Sequence, residues 1–106
     1  MTPKEIELMH KFKSLVEERL HVHSMTVFGS RARGDAHEDS DLDVLVVIEE
    51  EETPGISQYI SDCAWDACFD TGILLTPVIF SRRDWEEGPE RSGLLAQAIR
   101  HEGIPV

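Results

Sequence analysis

Two aspartates that are separated by one residue, Asp41 and Asp43, stand at the start of a run of aliphatic residues. Side chains alternate along a β-strand, so both carboxylates would project from one face, with roughly 6 to 7 Å between their Cα atoms. Two like charges held this close and partly removed from water raise each other's proton affinity unless a divalent cation neutralises them. The spacing therefore predicts a metal site at the start of a strand.

The ligand chemistry indicates which metal this site would take. Carboxylate oxygens with no supporting histidine or cysteine select a hard ion, Mg²⁺ first and Mn²⁺ second, and water and substrate phosphates complete its coordination. In a two-metal site, ions about 3.5 to 4 Å apart activate the attacking oxygen and stabilise the leaving oxygen in a displacement at phosphorus. Asp41 and Asp43 are thus predicted to be metal ligands and catalytic residues of a reaction at phosphate.

The sequence GSRARG, which precedes the aspartates, supplies groups that suit a phosphate. Gly29 permits close approach of the backbone, and the Ser30 hydroxyl with the amides of a following helical turn can hold phosphate oxygens. Arg31 and Arg33 add positive charge in a form that binds phosphate bidentately. Each feature alone is more often a plain turn or a solvated loop, and it is their combination with the aspartates that predicts a nucleotide site.

The motif has the form G-S, ten residues, then D-x-D, and reads GSRARG followed by SDLDVLV. It resembles the nucleotidyltransferase signature of the DNA polymerase beta superfamily. The short chain is similar to the minimal nucleotidyltransferases that are paired with HEPN-domain toxins, and its closing AIRHEGIPV resembles the end of these domains. By position, the resemblance implies that Gly29 and Ser30 hold the nucleotide triphosphate, that Asp41 and Asp43 bind the metal ions, and that the two arginines contact phosphate.

The resemblance also implies an activity and a partner. In the family the donor is usually ATP, which yields an AMP adduct and pyrophosphate, and the enzymes paired with toxins adenylylate a tyrosine of the toxin. The chain would then be the antitoxin, with ATP and a cognate HEPN-domain toxin as its partners. Two alternatives stay open: an antitoxin that neutralises a basic toxin by binding alone, and a small-molecule adenylyltransferase. The second is disfavoured because such enzymes carry an extra helical domain.

The chain departs from the family pattern at one place. Many active members carry a third acidic residue on a later strand, which helps to hold the catalytic metal and can draw a proton from the attacking hydroxyl. Here that strand reads ILLTPVIF, with Thr76 near the expected position. Threonine is a poor metal ligand and is not a base at neutral pH. Asp70, at the end of the preceding helix, is a conceivable substitute, although solvation on the helix surface is favoured for it.

The elements that would hold these residues follow from the apolar pattern of the chain. Thr2 predicts an N-cap with Glu5 as its capping-box partner, so a helix begins at Pro3. The aliphatic run Leu42–Ile48 is typical of a strand covered on both faces. Pro77 places its strand at a sheet edge or a bulge. The predicted order is a helix from residue 3, strands at 25–28 and 42–48, a helix at about 56–71, a strand at 73–80 and a helix at about 92–102.

This order predicts an α/β (α+β) fold in which a mixed sheet of three to four strands packs against helices mainly on one face. With 106 residues, the chain is interpreted as one nucleotidyltransferase domain over 1–106. Trp65, Phe69 and Tyr59 on the second long helix are expected in the core, with a partner surface as the alternative.

Composition restricts the partners. The chain has 21 acidic against 10 basic residues and a formal net charge of -11, which disfavours nucleic acid as a partner and suits a basic protein. No apolar run is long enough to span a bilayer, and Cys63 and Cys68 fit buried free thiols rather than a disulfide or zinc pattern. A cytoplasmic protein without a membrane partner is predicted, and both homo- and hetero-oligomers remain open.

Overall fold

The structure, a computed structural model, describes residues 1–35, 37 and 40–106 of the chain. The described residues form four strands and five α-helices, with a 3₁₀ turn at Pro89–Ser92 between the last two helices. In chain order the elements are α1 Pro3–Glu17, β1 Val22–Phe28, α2 Ser30–Arg33, β2 Leu42–Ile48, α3 Pro54–Cys68, β3 Leu75–Ser81, α4 Arg82–Glu87, α5 Leu94–Glu102 and β4 Ile104–Pro105.

The strands form one mixed sheet in the order β3-β2-β1-β4. Strand β2 pairs in parallel with β3 and antiparallel with β1, and β1 pairs antiparallel with β4. The predicted mixed sheet of three to four strands is confirmed. Pro77 lies in β3, at the edge of the sheet, where one side of the strand needs no ladder hydrogen bonds and proline is tolerated.

Strand β2 occupies the bounds predicted from its aliphatic run, and six of its seven residues are buried. Both faces of the strand are covered, as expected. Val44, Val46 and Ile48 belong to the main core, which also contains Met9 and Phe12 of α1. These contacts between the central strand and the long helices remove the largest apolar side chains from water and so fix the position of the strand.

The helices divide between the two faces of the sheet. The long helices α1 and α3 contribute to the main core on one face, in agreement with the predicted packing of helices mainly on one face. Helix α4 contacts the other face, where its Trp85 ring lies 5.3 Å from the Phe80 ring of β3. The end of α5 reaches the same face, because a Cβ at Gly103 would lie 2.7 Å from the Thr26 side chain of β1.

Helix boundaries follow the capping residues. Thr2 and Glu5 form the predicted capping box, with the Glu5 amide donating to Thr2 Oγ1 at 3.2 Å and the Thr2 amide donating to Glu5 Oε1 at 2.7 Å. Helix α3 begins at Pro54, two residues before the predicted start, because the Thr53 hydroxyl accepts a hydrogen bond from the Ile56 amide and acts as its N-cap. The two-residue strand β4 is an addition to the predicted order.

The expected core position of Trp65 and Phe69 is wrong, since both side chains are 61% exposed. The buried residues of α3 follow helical spacing, and the two aromatic residues lie outside that stripe. Tyr59 is partly buried, and its hydroxyl donates to the Leu15 carbonyl. The buried residues of α3 are Ile60, Cys63, Ala64, Ala67 and Cys68.

Both cysteines are free and buried, as predicted. Within the residues that the structure describes, no helix has the length and apolar character required to cross a membrane.

Candidate active site

The two aspartates meet a threonine at one end of the sheet. Strands β2 and β3 are parallel, so their first residues lie at the same end of the sheet. Asp43 stands in register with Thr76. The Thr76 hydroxyl also donates a long hydrogen bond to Asp41 Oδ2 at 3.4 Å. Because residues in register on neighbouring strands point to the same face, the two carboxylates and the Thr76 hydroxyl gather on one face at this end.

Gly29 lies directly against the second aspartate. It follows the last residue of β1, Phe28, which is in register with Asp43. Its φ is +82°, a conformation that residues with a Cβ rarely adopt, and a Cβ at this position would lie 2.5 Å from Asp43 Oδ2. Glycine is therefore required both by the backbone and by the space that the carboxylate occupies. This contact gives a physical reason for the pairing of glycine and aspartate in the sequence motif.

The helical turn expected after Gly29 is present as α2. The Gly29 carbonyl accepts hydrogen bonds from the amides of Ala32 and Arg33, both at 3.1 Å, and Gly34 ends the turn with φ +83°. Ser30 is the first residue of this turn and is partly exposed. The turn thus brings Ser30 to the same end of the sheet as Asp43, through the neighbouring Gly29.

Asp43 is a partly buried carboxyl group whose negative charge is disfavoured by its surroundings. Burial raises the pKa of Asp43, and the negative charge of Asp41 raises that pKa further. Asp41 itself is exposed. A divalent cation between the two groups would remove both their repulsion and the cost of burying an uncompensated charge.

The donor set fits a magnesium ion better than a protein-enclosed metal. No group of three or more histidine, cysteine or acidic side chains comes together as a metal site among the described residues. Mg²⁺ is commonly held by one or two carboxylates, with water and substrate phosphates as its remaining ligands. Asp41 and Asp43 could supply such a pair of carboxylates, with the exposed side of Asp41 open to water and substrate.

Arg31 points inwards and links three segments. Its side chain is only 10% exposed, and Nη1 donates to Glu5 Oε2 at 3.0 Å, while Nε donates to the Ser40 carbonyl at 2.8 Å. Burial acts to raise the pKa of Glu5, but hydrogen bonds from Thr2 and Arg31 outweigh it and lower that pKa. The guanidinium therefore holds α2 against α1 and fixes the residue before Asp41. Its contact with phosphate remains a prediction.

Arg33 lies on the surface and joins α2 to the last helix. Its Nη1 donates to Glu102 Oε2 at 2.8 Å and its Nε donates to Asp35 Oδ2 at 3.3 Å. These bonds, first that with Asp35, raise the pKa of Arg33. Its role in phosphate binding also remains a prediction, and in this structure the guanidinium is engaged by carboxylates.

Glu5 is the residue that sequence reasoning missed. The capping-box pattern identified its bonds to Thr2, but nothing in the local sequence indicates that it is buried or that it meets an arginine 26 residues away.

Asp70, the conceivable third carboxylate, is exposed beyond the end of α3 and borders a surface cavity with Lys4 and Lys11 of α1. Thr76 thus occupies the position beside Asp43.

Comparison with known proteins identifies related sequences. A family model described as "Nucleotidyltransferase domain" matches residues 9–92, which include the whole site. The protein adenylyltransferase MntA of Thermococcus cleftensis is 43% identical over 61 residues, which are 57% of this chain and 60% of that protein. A Methanocaldococcus jannaschii protein that carries an adenylyltransferase name is 34% identical over 81 residues, 73% of this chain and 80% of its own length. Another relative from the same organism is 37% identical over 54 residues, and the match spans 54% of its length.

Solved structures with a similar fold come from toxin–antitoxin complexes. A chain from a toxin–antitoxin crystal structure with AMP-PNP superimposes with a TM-score of 0.64 at 18% identity, covering 91% of this chain and 69% of that chain. A chain from the complex of a tri-AMPylated Shewanella oneidensis HEPN toxin with MNT antitoxin gives a TM-score of 0.54 at 13% identity, covering 96% and 70%. At these identities the likeness concerns the fold alone, and it confirms the predicted fold class.

Proposed function

This chain belongs to the nucleotidyltransferase domain family, and from that premise we propose that it transfers AMP from ATP to a hydroxyl group of a protein. The names of the relatives, which are protein adenylyltransferases, support this choice of reaction. We assign this activity to a single domain over residues 1–106. The cytoplasm is the proposed compartment, because its reducing conditions suit the buried free thiols.

The acceptor that we propose is a tyrosine of a cognate HEPN-domain toxin, so that the chain acts as an antitoxin. Two solved structures of similar fold support this partner, since one is a toxin–antitoxin complex with AMP-PNP and the other contains an AMPylated HEPN toxin with an MNT antitoxin. The net charge of -11 is consistent with a basic protein partner and unfavourable for nucleic acid.

The observation that carries this proposal is the contact of Asp43 with Gly29 at the sheet end where Asp41 and Thr76 also meet. In the proposed site, Asp41 and Asp43 hold Mg²⁺, or Mn²⁺ in its place, and the Ser30 hydroxyl with the first amides of the turn binds triphosphate oxygens. The later amides, those of Ala32 and Arg33, donate to the Gly29 carbonyl. When bound, the metal would neutralise negative charge on the phosphate groups. The small glycine leaves the space that lets these two halves of the site lie side by side.

The proposed transfer is a displacement at the α-phosphorus of ATP. The acceptor oxygen forms a bond to this phosphorus, the bond from the phosphorus to the bridging oxygen breaks, and pyrophosphate leaves. The proton of the acceptor hydroxyl passes to water, because Thr76 is not a base at neutral pH. Its hydroxyl instead donates to Asp41 Oδ2 and helps to orient that carboxylate.

The same threonine favours a second candidate function. Without a third carboxylate beside Asp43, nucleotide binding could occur without turnover, and the chain would then neutralise the toxin by binding alone. The two functions differ in whether the toxin acquires covalent AMP.

Labelled ATP distinguishes the two functions. The chain is incubated with ATP labelled at the α-phosphate, Mg²⁺ and its cognate HEPN-domain protein, and label on that protein is measured. We expect transfer by the wild type and a loss of roughly 100-fold or more with Asp41→Asn or Asp43→Asn. Glu17→Gln, an exposed acidic position at the end of α1, is the matched control. Label that persists in both aspartate variants would refute the metal pair, and a bound but unlabelled toxin would favour neutralisation by binding.

A further inference from the structure

Three exposed apolar side chains lie together where α3 ends and β3 begins. Trp65 of α3 and Phe69, the residue that caps its C-terminal end, are each 61% exposed, and Leu74, just before β3, is 53% exposed. The two rings lie 6.2 Å apart, and all three side chains line the same shallow groove. We call these three residues the α3 patch. Water-exposed aromatic clusters of this kind are typical of surfaces that bind another protein.

The α3 patch lies on the opposite face of the sheet from the two carboxylates, and the two surfaces meet at the edge strand β3. The Leu74 carbonyl accepts a hydrogen bond from the Leu42 amide at 2.8 Å, and Leu42 lies between the two aspartates in sequence. A second groove is lined by Trp65, Leu74 and Thr76 together. Because the Thr76 hydroxyl contacts Asp41, a protein segment that lies on the patch and crosses the edge of β3 would have its end beside the carboxylates.

The segment that carries the patch is acidic, and Lys4 and Lys11 of α1 border a cavity with one of its acidic residues, Asp70. Residues 49–81, which contain all of α3 and β3, include seven acidic residues and no lysine, arginine or histidine. Asp62, Asp66 and Asp70 are exposed and follow each other at intervals of four. Side chains four apart lie on one side of a helix, so this acidic row runs beside the row of Trp65 and Phe69. The surface thus has an aromatic row next to an acidic row.

We propose that the α3 patch is the docking surface for the protein acceptor. Its occupant is a segment that buries an apolar side chain against Trp65 and Phe69 and carries lysine or arginine residues opposite the acidic row. Docked there, the segment presents its hydroxyl group at the Thr76 end of the groove. This inference rests on the proposed function and adds to it the place and the chemistry of acceptor recognition.

A second copy of this chain is a poorer occupant. Each copy carries a net charge of -11, and two patches facing each other would bring their acidic rows together. Like charges that face each other in an interface oppose association, whereas a basic partner is attracted and guided to the same surface.

The test replaces the aromatic rings and keeps the helix. The double variant Trp65→Gln and Phe69→Gln removes two exposed rings with a residue that favours helices, so the core stays intact. Leu94→Gln is the matched control, because Leu94 is an 85% exposed apolar residue on α5. A second variant, Asp62→Lys with Asp66→Lys, tests the acidic row independently. Three quantities are measured for each protein: binding of the cognate HEPN-domain protein by calorimetry, AMP transfer to it, and binding of AMP-PNP with Mg²⁺.

We expect both patch variants to bind the HEPN-domain protein roughly 10- to 100-fold more weakly and to lose transfer in proportion. Their affinity for AMP-PNP should equal that of the wild type, and Leu94→Gln should match the wild type throughout. Patch variants that bind and label the HEPN-domain protein normally would overturn the docking surface and leave the proposed function intact. Binding that is lost in the patch variants, when even the wild type transfers no AMP, would support the docking surface and overturn the transfer reaction. A wild-type homodimer that the patch variants abolish would assign the patch to a second copy and overturn the inference.

Discussion

Gly29 links the glycine turn to the second carboxylate, and it can be tested against a glycine of similar backbone. Gly29 and Gly34 have φ values of +82° and +83°, but only at Gly29 would a Cβ meet an atom within 4 Å, the Asp43 carboxylate. We expect Gly29→Ala and Gly34→Ala each to lower the free energy of unfolding by about 1 to 3 kcal/mol through backbone strain. Only Gly29→Ala should also abolish binding of AMP-PNP with Mg²⁺, as measured by calorimetry. Equal nucleotide affinity in the two variants would contradict the proposed packing of glycine on the metal ligand.

The raised pKa of Asp43 predicts how the metal-free protein responds to pH. A carboxyl group whose pKa is higher in the folded than in the unfolded state lowers stability as pH rises from the unfolded value to the folded value. At pH 7 without metal, Asp43→Asn should therefore be more stable than the wild type. Mg²⁺ should stabilise the wild type and leave Asp43→Asn unchanged.

Thermal denaturation between about pH 4 and pH 7, with EDTA or with Mg²⁺, measures both effects of Asp43. Glu17→Gln, remote from the site at the end of α1, serves as the control and should follow the wild type in every condition. Stabilisation of Asp43→Asn by Mg²⁺ to the same extent as the wild type would place the metal elsewhere.

At the scale of elements, the ion pair of Glu5 and Arg31 holds α1 against α2. Both side chains are at most 10% exposed, so removing the Glu5 charge takes a close counter-charge away from the buried Arg31 guanidinium. We expect Glu5→Gln to lower the free energy of unfolding by about 3 to 5 kcal/mol. Glu7→Gln, on the exposed side of the same helix, should be close to neutral. Urea denaturation of the two variants measures the difference.

The lowered pKa of Glu5 gives the same pair a pH signature. Its stabilising contribution is present above the unfolded pKa of a glutamate and is lost as pH falls through the lower folded pKa. The wild type should therefore lose stability faster than Glu5→Gln on acidification in this range. Parallel pH profiles for the two proteins would show that the ion pair does not stabilise the fold.

The elements also differ in how well the local sequence predicts them. The bounds of β2 and the cap of α1 could be predicted because they depend on an aliphatic run and on residues three apart in sequence. The inward turn of Arg31 could not be predicted, because its partner Glu5 is 26 residues away and only the packing of α1 on the sheet brings them together. Trp65 and Phe69 were assigned wrongly for a related reason: an apolar residue type does not tell which side of α3 meets the sheet. The shared face of Asp41 and Asp43 was predictable, because side chains alternate along an extended segment, whereas their role as metal ligands stays a prediction.

At the scale of the molecule, the net charge predicts the salt dependence of partner binding. A protein of net charge -11 is attracted to a basic partner over distances that dissolved salt shortens. We expect association with the cognate HEPN-domain protein to slow at least about tenfold between about 50 mM and about 500 mM NaCl, with a smaller change in the dissociation rate. Stopped-flow tryptophan fluorescence measures this association rate, for the wild type and for the double variant Asp62→Lys with Asp66→Lys. An association rate that does not depend on salt would exclude electrostatic guidance.

The central claim is that Asp41 and Asp43 support covalent transfer of AMP to a protein. Its most direct test is the intact mass of the cognate HEPN-domain protein after co-expression with the wild-type chain or with Asp43→Asn. We expect the mass to increase by one or more AMP groups with the wild type and to stay unchanged with Asp43→Asn, when the two proteins are expressed in equal amounts. An unmodified HEPN-domain protein beside the wild type, or a modified one beside Asp43→Asn, would contradict it.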